Sequence, residues 1–226
     1  VSNRFLQKKF GGALLPHCRD TEILNPLKFN AADVKEKMGF VEKKILMFLG
    51  TPRPHKGIDD LLQGFKKIDN PELNLVIIGV ENKQEFLKGI DESVKNRVTI
   101  ISRISFNKLP EYLSVADIIV IPQRRTSDSI GQIPARLFDA MSMAKPILTT
   151  RVSDIPEVLG DCGYLIEPNE PSQLADSIEY ILSHPDEAYK KGQAARKKCK
   201  EMYDMSNLES SLKELIERVV VRKDLK

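Results

Sequence analysis

Short apolar runs alternate with amphipathic stretches through the middle of this chain. The runs are Ile45–Leu49, Leu73–Gly79, Val98–Ile101, Asp117–Ile121, Pro146–Thr149 and Tyr164–Ile166. They are rich in Val and Ile, and their length suits a strand buried on both faces. Between them, apolar residues recur at helical spacing. Ile58, Leu61, Leu62 and Phe65 share a face, as do Phe86 and Ile90, then Leu109, Tyr112 and Leu113, then Leu137, Met141, Met143 and Ala144. Strands alternating with helices predict βαβ units and an α/β fold on a parallel sheet. Such sheets bind ligands at the carboxyl ends of their strands, so the loops there are the places to search for chemistry.

The flanks read differently. A helical stretch, Arg4–Phe10, is followed by a Gly11-Gly12 break, an apolar run Ala13–Leu15 and a short helix Ala31–Met38. After Pro168 the pattern is helical throughout: Pro171–Leu182, the charged Pro185–Tyr203, and Leu208–Val221 with Leu212, Leu215, Ile216 and Val219 in register. Lys190–Lys200 is read mainly as a solvated helix face, with contact to an anionic membrane as the alternative.

Composition narrows the function classes. The chain has 226 residues, 35 Lys plus Arg against 32 Asp plus Glu, and a formal charge of +3. That near balance lacks the basic stripe of a nucleic-acid binder, so no nucleic-acid partner is expected. With 41% apolar and 30% charged residues the chain reads as an ordinary globular protein. Its length allows burial of roughly 70% of the unfolded surface without a disulfide or metal staple. No run approaches the roughly 18 apolar residues of a membrane span. Cys18, Cys162 and Cys199 are odd in number and form no CxxC pair, which predicts reduced thiols, a cytoplasmic setting and no zinc site. No signal peptide is visible. The chain opens on Val1-Ser2-Asn3 rather than Met, as a piece of a longer protein would.

Three loops at strand ends carry candidate chemistry. The first is Gly50-Thr51-Pro52-Arg53-Pro54-His55-Lys56-Gly57. Arg53 and Lys56 precede a helix, where cations oppose the helix dipole unless an anion lies between them and the amides. The loop fits either a phosphate site or a strained turn with two solvated cations. It is neither a Walker A loop nor GxGxxG.

The second is Gly131-Gln132-Ile133-Pro134-Ala135-Arg136-Leu137-Phe138-Asp139, after the polar loop Gln123–Ser129. Pro134 reads as a first-turn helix residue. Arg136 would meet a phosphate near the helix start, and Asp139, one turn deeper on the same face, would accept from ribose hydroxyls. A surface ion pair worth a few tenths of a kcal/mol is the alternative. The third loop ends in Asp154-Ile155-Pro156-Glu157, where Asp154 reads as a cap for a short helix. His17 stands alone and reads as structural. His184 reads as the partner of a helix C-terminus.

Taken in order, these segments resemble the C-terminal, donor-binding domain of the group-1 retaining glycosyltransferases of family 4, which have the GT-B fold. The likeness covers nearly the whole chain. It rests on Leu15-Pro16-His17, on Gly50–Gly57 with its Lys-Gly pair, on the acidic helix Pro134–Pro146, and on Asp154–Glu157 and Gly163–Ile166. It implies a Rossmann-like parallel sheet flanked by helices over residues 1–203. Residues 204–226 would form a C-terminal helix crossing back to an N-terminal domain outside this chain.

The resemblance also implies a function: transfer of a sugar from a UDP- or GDP-linked donor to a glycan or lipid-linked acceptor, with retention of configuration. Lys56 and Arg136 would stabilise the leaving diphosphate. Arg53, Gly131, Gln132, Pro134 and Asp139 would complete the donor site, and Arg103 and Ile104 would border the base. No metal or other cofactor is expected. Two positions depart from the family pattern: Gly131 stands where its first acid often lies, and Thr51 where many members carry Arg. Alone, the chain would bind nucleotide and transfer little. It would be cytoplasmic, with peripheral contact at the inner face of the membrane as the alternative, and the exposed face of its last helix would invite dimerisation. The competing reading is a non-catalytic nucleotide-binding or regulatory α/β module. A receiver-like domain ranks lower, because no acidic cluster follows Leu49 or Gly79.

Overall fold

The computed structural model of the chain describes residues 1–223, with side chains through residue 217. Among these, six strands form one parallel sheet: β1 (Lys44–Leu49), β2 (Leu73–Ile78), β3 (Val98–Ile101), β4 (Ile118–Ile121), β5 (Ile147–Thr150) and β6 (Tyr164–Ile166). Their spatial order is β3-β2-β1-β4-β5-β6. β1 pairs with β2 from Lys44↔Leu73 to Leu49↔Ile78, and with β4 through Leu46↔Ile118 and Met47↔Ile119. Successive strands run outward in one direction from β1 and in the other from β4. The sheet therefore has its topological switch point between these two strands, where a crevice opens at their carboxyl ends.

The apolar runs lack an in-out alternation because both faces are covered. Ile45, Met47 and Leu49 of β1 join a core with Leu113, Leu137, Phe138 and Leu159. Leu46 and Phe48 point the other way, into a core with Ile58, Leu61, Phe65, Leu174 and Ile178. The amphipathic faces legible in the sequence thus fall on opposite sides of one sheet. Strand limits move by a residue at Lys44, Gly79, Asp117, Pro146 and Thr150. Asp117 is not part of its strand; its carboxylate accepts from the Ile45 N–H at 2.7 Å and from Lys35 Nζ at 2.8 Å.

Three expectations change locally. The loop Gln123–Ser129 contains the start of a short helix, Ser127–Ile130, held by a capping box between Thr126 and Ser129. Pro134 is the N-cap of the helix Ala135–Ser142, with extended backbone, rather than a first-turn residue. Asp154 makes no capping bond to its own helix, Ile155–Leu159. Its Oδ2 instead accepts from the Arg4 N–H at 2.7 Å, at the start of the helix Arg4–Phe10.

The charged helix Pro185–Met202 is largely tied down. Arg196 donates to the carbonyls of Thr21, Leu24 and Ser142, Lys191 to that of Asp161, and Lys198 to that of Glu157. Lys190, Lys197 and Lys200 face solvent, Lys197 lying 4.0 Å from the exposed Glu201. The terminal helix Met205–Lys223 leaves Leu212 and Ile216 exposed at 40% and 61%. Val219, expected on that face, lies outside the described side chains, as residues 224–226 lie outside the described chain.

Candidate functional site

A cavity of about 910 Å³ occupies the switch-point crevice. The loop after β1 forms one wall. Gly50 has φ +118, and a β-carbon there would stand 3.1 Å from Lys56 Nζ, so the glycine leaves room for the lysine to lie over the strand end. The chain then turns through Pro54–Lys56 to Gly57, which caps the helix Ile58–Lys66 in the left-handed region. Gly57 has no alternative residue: a β-carbon there would come within 1.8 Å of the Pro122 carbonyl oxygen.

The segment after β4 forms the opposite wall. Gly131, Gln132, Pro134 and Arg136 line the cavity. Arg136 sits in the first turn of the helix Ala135–Ser142, with its side chain 40% exposed. Asp139, one turn on, is fully buried and does not reach the cavity. Its Oδ2 accepts from Arg136 Nη1 at 2.7 Å and its Oδ1 from Arg19 Nε. This differs from the expected ribose contact: both oxygens accept from guanidinium groups, so Asp139 braces two cavity-lining cations from below.

Lys56 lines the same cavity, half-buried. No ion pair or side-chain hydrogen bond holds its ammonium among the described residues. Burial pushes its pKa below the ordinary lysine value, and repulsion from Arg53 and Arg136 pushes it the same way. Cations crowded into a half-buried crevice call for an anion. Arg53 itself is exposed and does not line the cavity; it acts on Lys56 through its charge. Arg103 and Ile104, after β3, line the far end, with Arg103 3.6 Å from Glu81.

Two lining residues were not legible as site residues. His17 lies edge-on to Phe138, with ring centroids 5.9 Å apart, and burial, followed by the Arg19 charge, lowers its pKa. Arg19 reaches Asp139 and also donates to the carbonyls of Cys18 and Ala135. Both lie more than 100 positions before the helix they meet, so no local spacing announces them. All three cysteines are free, and burial pushes the Cys199 thiol up to about 12. Among the described residues, no group of three or more His, Cys, Asp or Glu gathers in metal-holding range.

This strand order, with a cation-lined crevice between β1 and β4, defines a Rossmann-like α/β domain. Residues 31–198 match the family model described as glycosyl transferases group 1, and the chain belongs to that family. It is 30% identical over 183 residues to N-acetyl-alpha-D-glucosaminyl L-malate synthase of Bacillus anthracis, covering 78% of this chain and 46% of that protein. Sucrose-phosphate synthase from Thermosynechococcus elongatus superposes with a TM-score of 0.84 at 19% identity, over 98% of this chain and 58% of that one. The C-terminal domain of a group 1 glycosyl transferase from Francisella tularensis gives 0.70 at 23% identity, over 83% of this chain and 99% of that one. The chain thus spans about half the length of the sequence relatives it matches. No helix among the described residues is long and apolar enough to cross a membrane.

Proposed function

We propose that this chain is the donor-binding half of a retaining glycosyltransferase and holds the nucleoside diphosphate of a sugar nucleotide in the switch-point cavity. The observation that carries the reading is the convergence of Lys56 and Arg136 on one cavity, from the segments after β1 and β4, with no anion partner for Lys56 among the described residues. The diphosphate would lie between them. Arg103 and Ile104 line the far end, where a base would stack or pair. As the sugar departs, charge builds on the diphosphate, and fixed cations in a partly desolvated crevice lower that barrier. Asp139 and Arg19 keep Arg136 oriented for this, so that little reorganisation is needed at the moment of reaction. Gly131 puts no carboxylate beside the sugar, so sugar recognition falls to other groups lining the cavity, His17 and Gln132 among them. The acceptor, glycan or lipid-linked, would be presented by a domain outside this chain.

The test is a thermal shift. UDP or GDP should raise the melting temperature, and Arg136→Ala should abolish the rise. If no nucleoside diphosphate binds at millimolar concentration, the donor-site reading fails.

A further inference from the structure

The Lys56 loop carries an ammonium that burial and two neighbouring cations all disfavour. A free loop would relax outward and separate those charges. Three contacts bracket it. The backbone N–H of Arg124 donates to the His55 carbonyl at 2.9 Å. Gly57 packs so closely on Pro122 that a β-carbon would collide with its carbonyl oxygen. The Arg124 guanidinium forks onto Asp60, with Nε to Oδ2 at 2.7 Å and Nη2 to Oδ1 at 2.6 Å. Asp60 is 6% exposed and sits in the first turn of the helix that Lys56 precedes. Asp59 adds a weaker contact to Arg124 at 3.6 Å. A bidentate, mostly buried pair fixes direction as well as distance. Arg124 is not among the cavity-lining residues. All three contacts join residues 55–60 to residues 122–124, and Lys56 lies between its two tied neighbours.

We propose that Arg124 and Asp60 are positioning residues that hold Lys56 at the phosphate-binding end of the cavity. This deepens the donor-site reading and rests on it. The clamp opposes the repulsion between Lys56, Arg53 and Arg136 before the ligand arrives, so the diphosphate meets a preformed cation rather than a loop it must order.

Titration calorimetry on the full chain tests the proposal with inorganic pyrophosphate and with whichever of UDP or GDP the unmodified protein binds more tightly. Arg124→Ala should weaken pyrophosphate about tenfold, and Asp60→Asn should do the same. The decisive readout is a double-mutant cycle on the nucleoside diphosphate, because residues acting through one contact are not additive. On a Lys56→Ala background, Arg124→Ala should cost less than a further twofold. A tenfold loss that persists without Lys56, or no loss in the single variant, overturns the proposal while leaving the donor site standing. If the unmodified chain binds neither ligand, the donor-site reading and this inference fall together. Should Arg124→Ala not fold, Arg124→Lys keeps the charge but loses the fork. It should weaken pyrophosphate about threefold, and that loss too should vanish without Lys56; full affinity in Arg124→Lys with Lys56 in place rejects the clamp.

Discussion

Arg136 Nη1 donates to Asp139 Oδ2 at 2.7 Å, and the carboxylate that receives it is wholly buried. The other oxygen is taken by Arg19. One negative charge is therefore shared by two guanidiniums that both line the cavity. Asp139→Asn removes that charge and leaves two cations without their common partner. Because Arg136 is partly exposed, the expected loss of stability is about 2–4 kcal/mol, read by urea unfolding. The same variant separates two roles. A brace for Arg136 predicts that pyrophosphate and nucleoside diphosphate weaken by the same factor. A direct ribose contact predicts a loss confined to the nucleotide. The geometry leads us to expect equal factors.

Lys56 should make donor binding depend on pH. Burial and two cations lower its pKa in the free protein, whereas a bound diphosphate would raise it. Binding therefore favours the protonated amine. Affinity should be flat below the depressed free-state pKa and fall as pH rises through it, with proton uptake in the alkaline range where the two states differ. Calorimetry in two buffers of unequal ionisation enthalpy measures that uptake. Lys56→Met should abolish it.

Much of this was legible in the chain, and the reasons are local. β3 and β6 begin and end where the apolar runs do, although both are edge strands and mostly half-buried, and β3 holds Thr99, whose Oγ1 donates to Asn74 Oδ1 at 3.0 Å. Lys56 was found because it lies in the loop just past a strand end, where an α/β sheet puts its ligands, and Arg136 because it lies near a helix start, where phosphates bind. Arg19 and His17 were missed because they meet the site only through tertiary contact across more than 100 residues. Asp139 was read as a ribose acceptor, whereas in the structure its two oxygens accept from Arg136 and Arg19. Helical spacing places it under Arg136, yet nothing in that spacing shows that Arg19 takes its second oxygen. Arg124 reads as one cation in a polar loop, and its fork onto Asp60 spans 64 positions.

Lys145 offers a stability test away from the cavity. Its ammonium donates to the Ser114 carbonyl at 2.6 Å. Burial is the main cause of a pKa lowered from 10.5 to about 8; Lys35 adds to the shift and Asp117 opposes it. Below pH 8 the folded and unfolded chains both hold the proton, and folding bears the full cost of burying it. Between about 8 and 10.5 the folded chain releases the proton first, so that cost fades. Relative to Lys145→Met, the unmodified protein should gain about 2–3 kcal/mol of stability across this window. Urea midpoints at pH 7 and pH 10.5 measure it, and a constant difference would reject the buried-amine account.

Gly57 and Gly39 separate backbone strain from steric exclusion. Both lie in the left-handed region, at φ +68 and +73. A β-carbon at Gly39 would meet nothing within 4 Å, so Gly39→Ala should cost only the conformational penalty, about 1 kcal/mol. At Gly57 the same atom would stand 1.8 Å from a backbone oxygen at the end of β4. Neither the helix start nor the strand end can yield without parting the two walls of the cavity. Gly57→Ala should therefore cost more than about 3 kcal/mol, the scale of the larger backbone and overpacking penalties. If it folds, it should also lose pyrophosphate affinity, because Lys56 moves with the loop. Gly39→Ala should leave that affinity unchanged. Equal stability losses in the two variants would show that the contact with Pro122 is not what fixes this turn.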